Sequence, residues 1–180
     1  MKKLTISLFL AITFIISTFS SNIYALQNDV YSAYKNELQW ITKNINYNYD
    51  KYSDLYLDEN PPTYCVFDIN KDGIKELCVK YGEFTYGSTY DFYTCEYGKI
   101  IHLGSFTTDY IIPCPSLYAC DSNGIFIYGG HTGYETLYKI SKEGHNIVRH
   151  RIFDSYCDYN YHYPKTILEM YNIDDYSGLF

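Results

Sequence analysis

The chain has 180 residues, with 24 tyrosines, a single tryptophan and a formal net charge of −7. Such an acidic surface repels phosphate backbones and anionic lipid, so neither nucleic acid nor a membrane surface is an expected partner. The length suits one ordinary domain with a real core, and no Gly-, Ser- or Pro-rich linker divides it.

Met1 to Ala25 runs in the order of a cleavable signal peptide. Lys2 and Lys3 come first, an apolar stretch from Leu4 to Ile16 follows, and Ile23-Tyr24-Ala25 ends with a small residue at the expected cut. The apolar run is shorter than the roughly 20 residues a membrane span needs. No cysteine lies there to carry lipid. The expected product is therefore a secreted, extracellular domain over 26–180, without a membrane association once the leader is gone. Losing two lysines and no acids makes it more acidic still.

Asn28 or Asp29 caps a predicted helix over 28–44. Val30, Tyr34, Leu38 and Ile41 recur on one face, with Ala33 and Trp40 beside them. That stripe needs a partner, and the sheet that follows provides it. A polar, tyrosine-rich connector occupies 46–62 and ends in Asn60-Pro61-Pro62, which disfavours helix and strand alike.

From Tyr64 onward, short β-prone runs alternate with turn residues. Four runs fall within 63–106 and four within 116–153. In each set an Asp-x-Asn turn leads from the first run to the next, and a later hairpin turns at a glycine, Gly98 in one and Gly144 in the other. The fold class this predicts is mainly β, with two blade-like, four-stranded antiparallel meanders forming a sandwich or curled sheet, and the helix packed on one face. Two blades cannot close a propeller ring. The tail over 160–180 is expected to hold a short helix near Ile167 to Tyr171. Tyrosine suits half-buried sheet faces, because the ring packs while the hydroxyl stays wet. The same residue also lines sugar-binding surfaces.

All 6 cysteines, at 65, 78, 95, 114, 120 and 157, follow the leader. Their even number and compartment allow disulfides, and Cys114 with Cys120 is the pair brought nearest by the chain. Buried free thiols account for the same residues equally well. The Cys-x-x-Cys spacing of a structural zinc site is missing.

The chemistry concentrates in Asp68-Ile69-Asn70-Lys71-Asp72-Gly73-Ile74-Lys75-Glu76. Oxygen-bearing side chains stand at loop positions 1, 3, 5 and 9, with glycine at 6. Calcium takes six to eight oxygens, and alternate residues of a tightly wound loop can all turn inward to supply them. Expected ligands are Asp68, Asn70, Asp72, the carbonyl of Ile74, and Glu76. Position 12 is Val79, so this EF-hand-like loop lacks the bidentate glutamate, and LCVKYG after it is β-prone. In these residues the chain resembles the calcium loops of FG-GAP and VCBS-type repeats. It is also similar to small, mostly uncharacterised exported proteins of Gram-positive bacteria with an Asp-Ile-Asn-x-Asp-Gly-x-x-Glu-Leu strand pair. The resemblance implies structural calcium and no shared reaction. Asp121-Ser122-Asn123-Gly124 lacks the later acid and is expected to be a turn without metal.

The Gly129 to Glu135 segment offers a second location for function. There His131 and Glu135 could act as acid and base in a small secreted hydrolase, against the plainer reading of a wide solvated loop. The sequence favours a calcium-stabilised, non-enzymatic β domain that binds an extracellular or cell-surface protein or glycan. A secreted hydrolase, or an inhibitor or effector, is the alternative.

Overall fold

Alternating apolar side chains give Thr63–Phe67 two usable faces, and it forms strand β1. It begins a sheet with β2 (Glu76–Tyr81), β3 (Thr89–Glu96), β4 (Lys99–Thr107) and, from the far end of the chain, β10 (Tyr171–Asn172). The second sheet contains β5 (Ser116–Cys120), β6 (Ile125–Gly129), β7 (Tyr134–Ile140), β8 (Ile147–Asp154) and β9 (Lys165–Ile167). The computed structural model describes residues 27–45, 61–81, 88–107, 116–120, 123–129, 134–141, 145–154 and 165–179. The proposed leader and most of the connector lie outside them.

Both sheets are antiparallel and five-stranded, in the orders β10-β1-β2-β3-β4 and β8-β7-β6-β5-β9. Helix α1, over 27–44, packs on the first sheet. The expected mainly β architecture with one covering helix is thus what the chain adopts. Each predicted meander gains a fifth strand from the tail. The short helix expected near Ile167 to Tyr171 is not formed. Residues 165–167 pair with β5 and 171–172 with β1, and the helical turn, a 3-10 turn at Tyr176–Leu179, comes later. Backbone pairing with two open sheet edges outweighs local helix preference in so short a stretch.

The pleat divides the core in two. Tyr64, Leu77, Val79, Tyr81, Tyr93 and Cys95 face α1 and meet Ala33, Tyr34, Leu38 and Ile41. Trp40, by contrast, is 54% exposed and stands off the buried stripe. On the other face, Cys65, Cys78, Tyr90, Phe92 and Leu103 pack against Leu117, Ile125, Ile127 and Ile140 of the second sheet. Complete burial of a side chain such as Leu38 or Leu77 contributes about 1.5–3 kcal/mol each. Phe106 and Tyr138 stack across the two sheets with centroids 3.8 Å apart. Among the described residues no helix is long and apolar enough to cross a membrane.

Candidate metal centre

The oxygen-rich segment joins β1 to β2 as an irregular loop, with strands leaving from both ends. Two left-handed residues curl it, Lys71 at φ 65° and Gly73 at φ 92°. Glycine adopts that conformation without the penalty a Cβ incurs. Lys71 is held in place instead by its ammonium, which donates to the Asp68 carbonyl at 2.9 Å and lies 3.9 Å from the centre of the Phe67 ring.

Inside the curl, side-chain oxygens accept backbone amides in an interlocked set. Asp68 Oδ1 accepts from Asp72 N at 3.1 Å and Oδ2 from Gly73 N at 3.0 Å. Asn70 Oδ1 also accepts from Asp72 N at 3.1 Å, and Asp72 Oδ1 accepts from Ile74 N at 2.8 Å. Asn70 Nδ2 donates to Asp72 Oδ2 at 2.8 Å. These Asx-type bonds hold positions 1, 3 and 5 together. Ile74 is half-buried, while Ile69 is fully buried and belongs to the core between the sheets.

Glu76 behaves differently from the three exposed or half-exposed donors. It is 1% exposed, and its Oε2 accepts the Ile69 amide at 2.7 Å. Among the described residues its Oε1 has no hydrogen-bond partner. Burial pushes its carboxyl up to about 8, opposed by the Ile69 amide and reinforced by the Asp72 and Asp68 carboxylates. An ionised carboxylate in that position is under strong electrostatic pressure to gain a proton or a cation.

The loop is held from outside as well. Tyr34 of α1 donates its hydroxyl to the Lys75 carbonyl at 2.6 Å, and burial, with Glu76 nearby, drives that phenol far above its ordinary range. From the second sheet, Gly124 N donates to the Ile69 carbonyl at 2.9 Å. Gly124 closes the Asp121 to Gly124 segment, of which Asn123 and Gly124 lie among the described residues. There the Asn123 amide group spans both backbone groups of Ile140, at 3.3 and 3.4 Å, which caps the sheet.

The residues fit a hard cation in donor type and in the orphaned buried oxygen. Among the described residues, however, no three His, Cys, Asp or Glu side chains stand together as a ready metal cluster. In the conformation described, the Asp68, Asn70 and Asp72 oxygens are engaged with amides.

His131 lies outside the described residues. Of Glu135 the backbone alone is described, paired in β7 with Tyr128 and Phe153. Cys114 and Cys157 also lie outside, while Cys65, Cys78, Cys95 and Cys120 are buried free thiols.

A polar cluster not anticipated from the sequence lies on β3 and β4. Asp91 is 2% exposed, His102 Nε2 stands 3.8 Å from its Oδ1, Tyr93 donates to its Oδ2 at 3.3 Å, and Ser105 Oγ is 3.2 Å from the same His102 nitrogen. A bulge brings His102 and Ser105 to one face, since His102 opposes Tyr93 and Ser105 opposes Asp91. Leu103 is the residue the register skips, and Gly104 beside it has φ 143°, where a Cβ would come within 3.3 Å of Ile147 Cγ2. A glycine inside a β-prone run is the one sequence signal of such a bulge. Both contacts use Nε2, so the imidazole is not arranged to relay a proton from Ser105 to Asp91 through its two nitrogens.

Comparison with protein-family models, with curated proteins and with solved structures returned no match.

Proposed function

We propose that the Asp68 to Glu76 loop binds one calcium ion, and that the chain is an exported, calcium-stabilised, non-enzymatic β domain that engages an extracellular protein or glycan. The observation that carries the metal reading is Glu76 Oε1, a buried carboxylate oxygen with no hydrogen-bond partner among the described residues, in the field of Asp68 and Asp72. Asp68, Asn70, Asp72, the Ile74 carbonyl and Glu76 would hold the ion. Bound there, calcium supplies folding free energy by cancelling the repulsion among ligand carboxylates. The chain's own residues then set rigidity. Tyr34 fixes the far end of the loop through Lys75, and Gly124 fixes its start through Ile69.

Thermal unfolding in calcium and in chelator tests the metal. The melting temperature rises with calcium, and an unchanged value removes it from the reading. Export is tested by amino-terminal sequencing of protein recovered from culture medium, where a start at or near Leu26 is expected. The partner is sought by retention of the calcium-loaded domain on cell-wall and host glycans. Binding unaffected by chelator would separate recognition from the metal.

A further inference from the structure

Cys65 and Cys78 are direct partners in the β1–β2 register. Both are buried and both belong to the core between the sheets. Residues opposite one another on antiparallel strands have Cα atoms about 4.5–5.5 Å apart, inside the roughly 4.4–6.8 Å span that disulfides use. Burial pushes the Cys78 thiol above its ordinary range, and the neighbouring Cys65 thiol adds to that rise. The other described cysteines are placed elsewhere. Cys95 faces α1, and Cys120 belongs to a separate cluster with Phe126 and Leu137.

We propose that Cys65 and Cys78 form a cross-strand disulfide, and that the thiol pair described here is its reduced form. The oxidant is a second disulfide, such as oxidised glutathione or the active-site disulfide of an oxidoreductase. One thiolate attacks that disulfide to give a mixed disulfide and release one reduced sulfur. The neighbouring cysteine then displaces the second, so each cysteine loses one proton and one electron and the oxidant becomes two thiols. Since both sulfurs are buried once the sheets close, the bond forms before or during folding. It closes a ring through residues 66–77, which contains the whole oxygen-rich loop. Such a ring reduces the freedom of the unfolded chain, and the loop ends stay in register.

The test is refolding of the full chain from denaturant in a reduced and oxidised glutathione mixture. Free thiols are then alkylated under denaturing conditions, and the protein is digested without reduction. Mass spectrometry is expected to find one peptide pair linking Cys65 to Cys78, which separates on reduction. Alkyl label on both residues across the full range of glutathione ratios overturns the proposal, as does either residue joined to another cysteine. A second variant, with Cys95, Cys114, Cys120 and Cys157 all replaced by alanine, retains the link without competing partners. A crosslinked protein that melts below its reduced counterpart would mean the bond distorts the strand pairing, and would also overturn the assignment.

Discussion

Glu76→Gln separates the cost of a buried charge from its use as a ligand. In metal-free protein the folded carboxyl titrates near 8 against an ordinary value of 4.5. The folded state therefore binds the proton more tightly than the unfolded chain. Stability is greatest below the unfolded value and falls as pH rises toward 8, with no further change above it. At about 1.36 kcal/mol per unit the full effect is about 5 kcal/mol, an upper figure that relaxation of the loop reduces. Glutamine keeps the shape and can accept the Ile69 amide, but carries no charge. With chelator at pH 9 the variant is expected to melt above the wild-type protein, by roughly 10 °C if most of that cost is recovered. At pH 4 the difference disappears. In saturating calcium the order reverses, because the variant lacks a charged ligand. Differential scanning calorimetry across pH 4–9, with and without calcium, follows all three comparisons. A wild-type-minus-variant difference independent of pH would refute the charge argument, and a variant equally responsive to calcium would remove Glu76 from the ligand set.

Asp68→Ala removes the acceptor for the Asp72 and Gly73 amides and is expected to abolish the calcium-induced rise in melting temperature, at a metal-free cost of about 1–3 kcal/mol in urea unfolding. Tyr34→Phe deletes one hydroxyl and leaves the Lys75 carbonyl without that donor. Chemical denaturation should register a loss of about 1–2 kcal/mol, and calcium titration a weaker affinity with unchanged stoichiometry. Gly124→Ala forces a Cβ to within 2.6 Å of Leu137 Cδ1 and 3.1 Å of the Tyr138 carbonyl at φ 149°. A destabilisation of about 2–4 kcal/mol is expected by thermal unfolding, and an unchanged midpoint would contradict the close packing around Gly124.

The described helix and eight of the ten described strands were legible because their patterns are local. Leu38 and Ile41 repeat at helical spacing, and the runs around Cys65, Cys78 and Phe92 are separated by turn residues. The curl at Asp68 to Gly73 was legible for a similar reason, since the amides that fill it come from the same few residues. What escaped depends on distant partners. Lys165–Ile167 and Tyr171–Asn172 become strands because β5 and β1 each offer an edge, and neither is long enough to show a period of two. The grouping of His102 with Ser105 depends on the bulge at Leu103, which breaks the alternation sequence reading relies on. Trp40 sits beside the apolar stripe in sequence yet turns outward. The support given to Ile69 by Gly124, 55 positions later, has no trace in either local pattern.

The short run from Lys165 to Asn172 occupies the outer position beside β5 and, a few residues on, the outer position beside β1. A chain delivered amino end first from a ribosome would hold both of those borders open until this run emerges. Two unpaired strands at once are templates for adhesion between nascent copies. The penalty of late delivery is shared by the whole molecule, so a stop codon or proteolytic nick just before residue 165 would leave a protein with most of its strands and a strong tendency to aggregate.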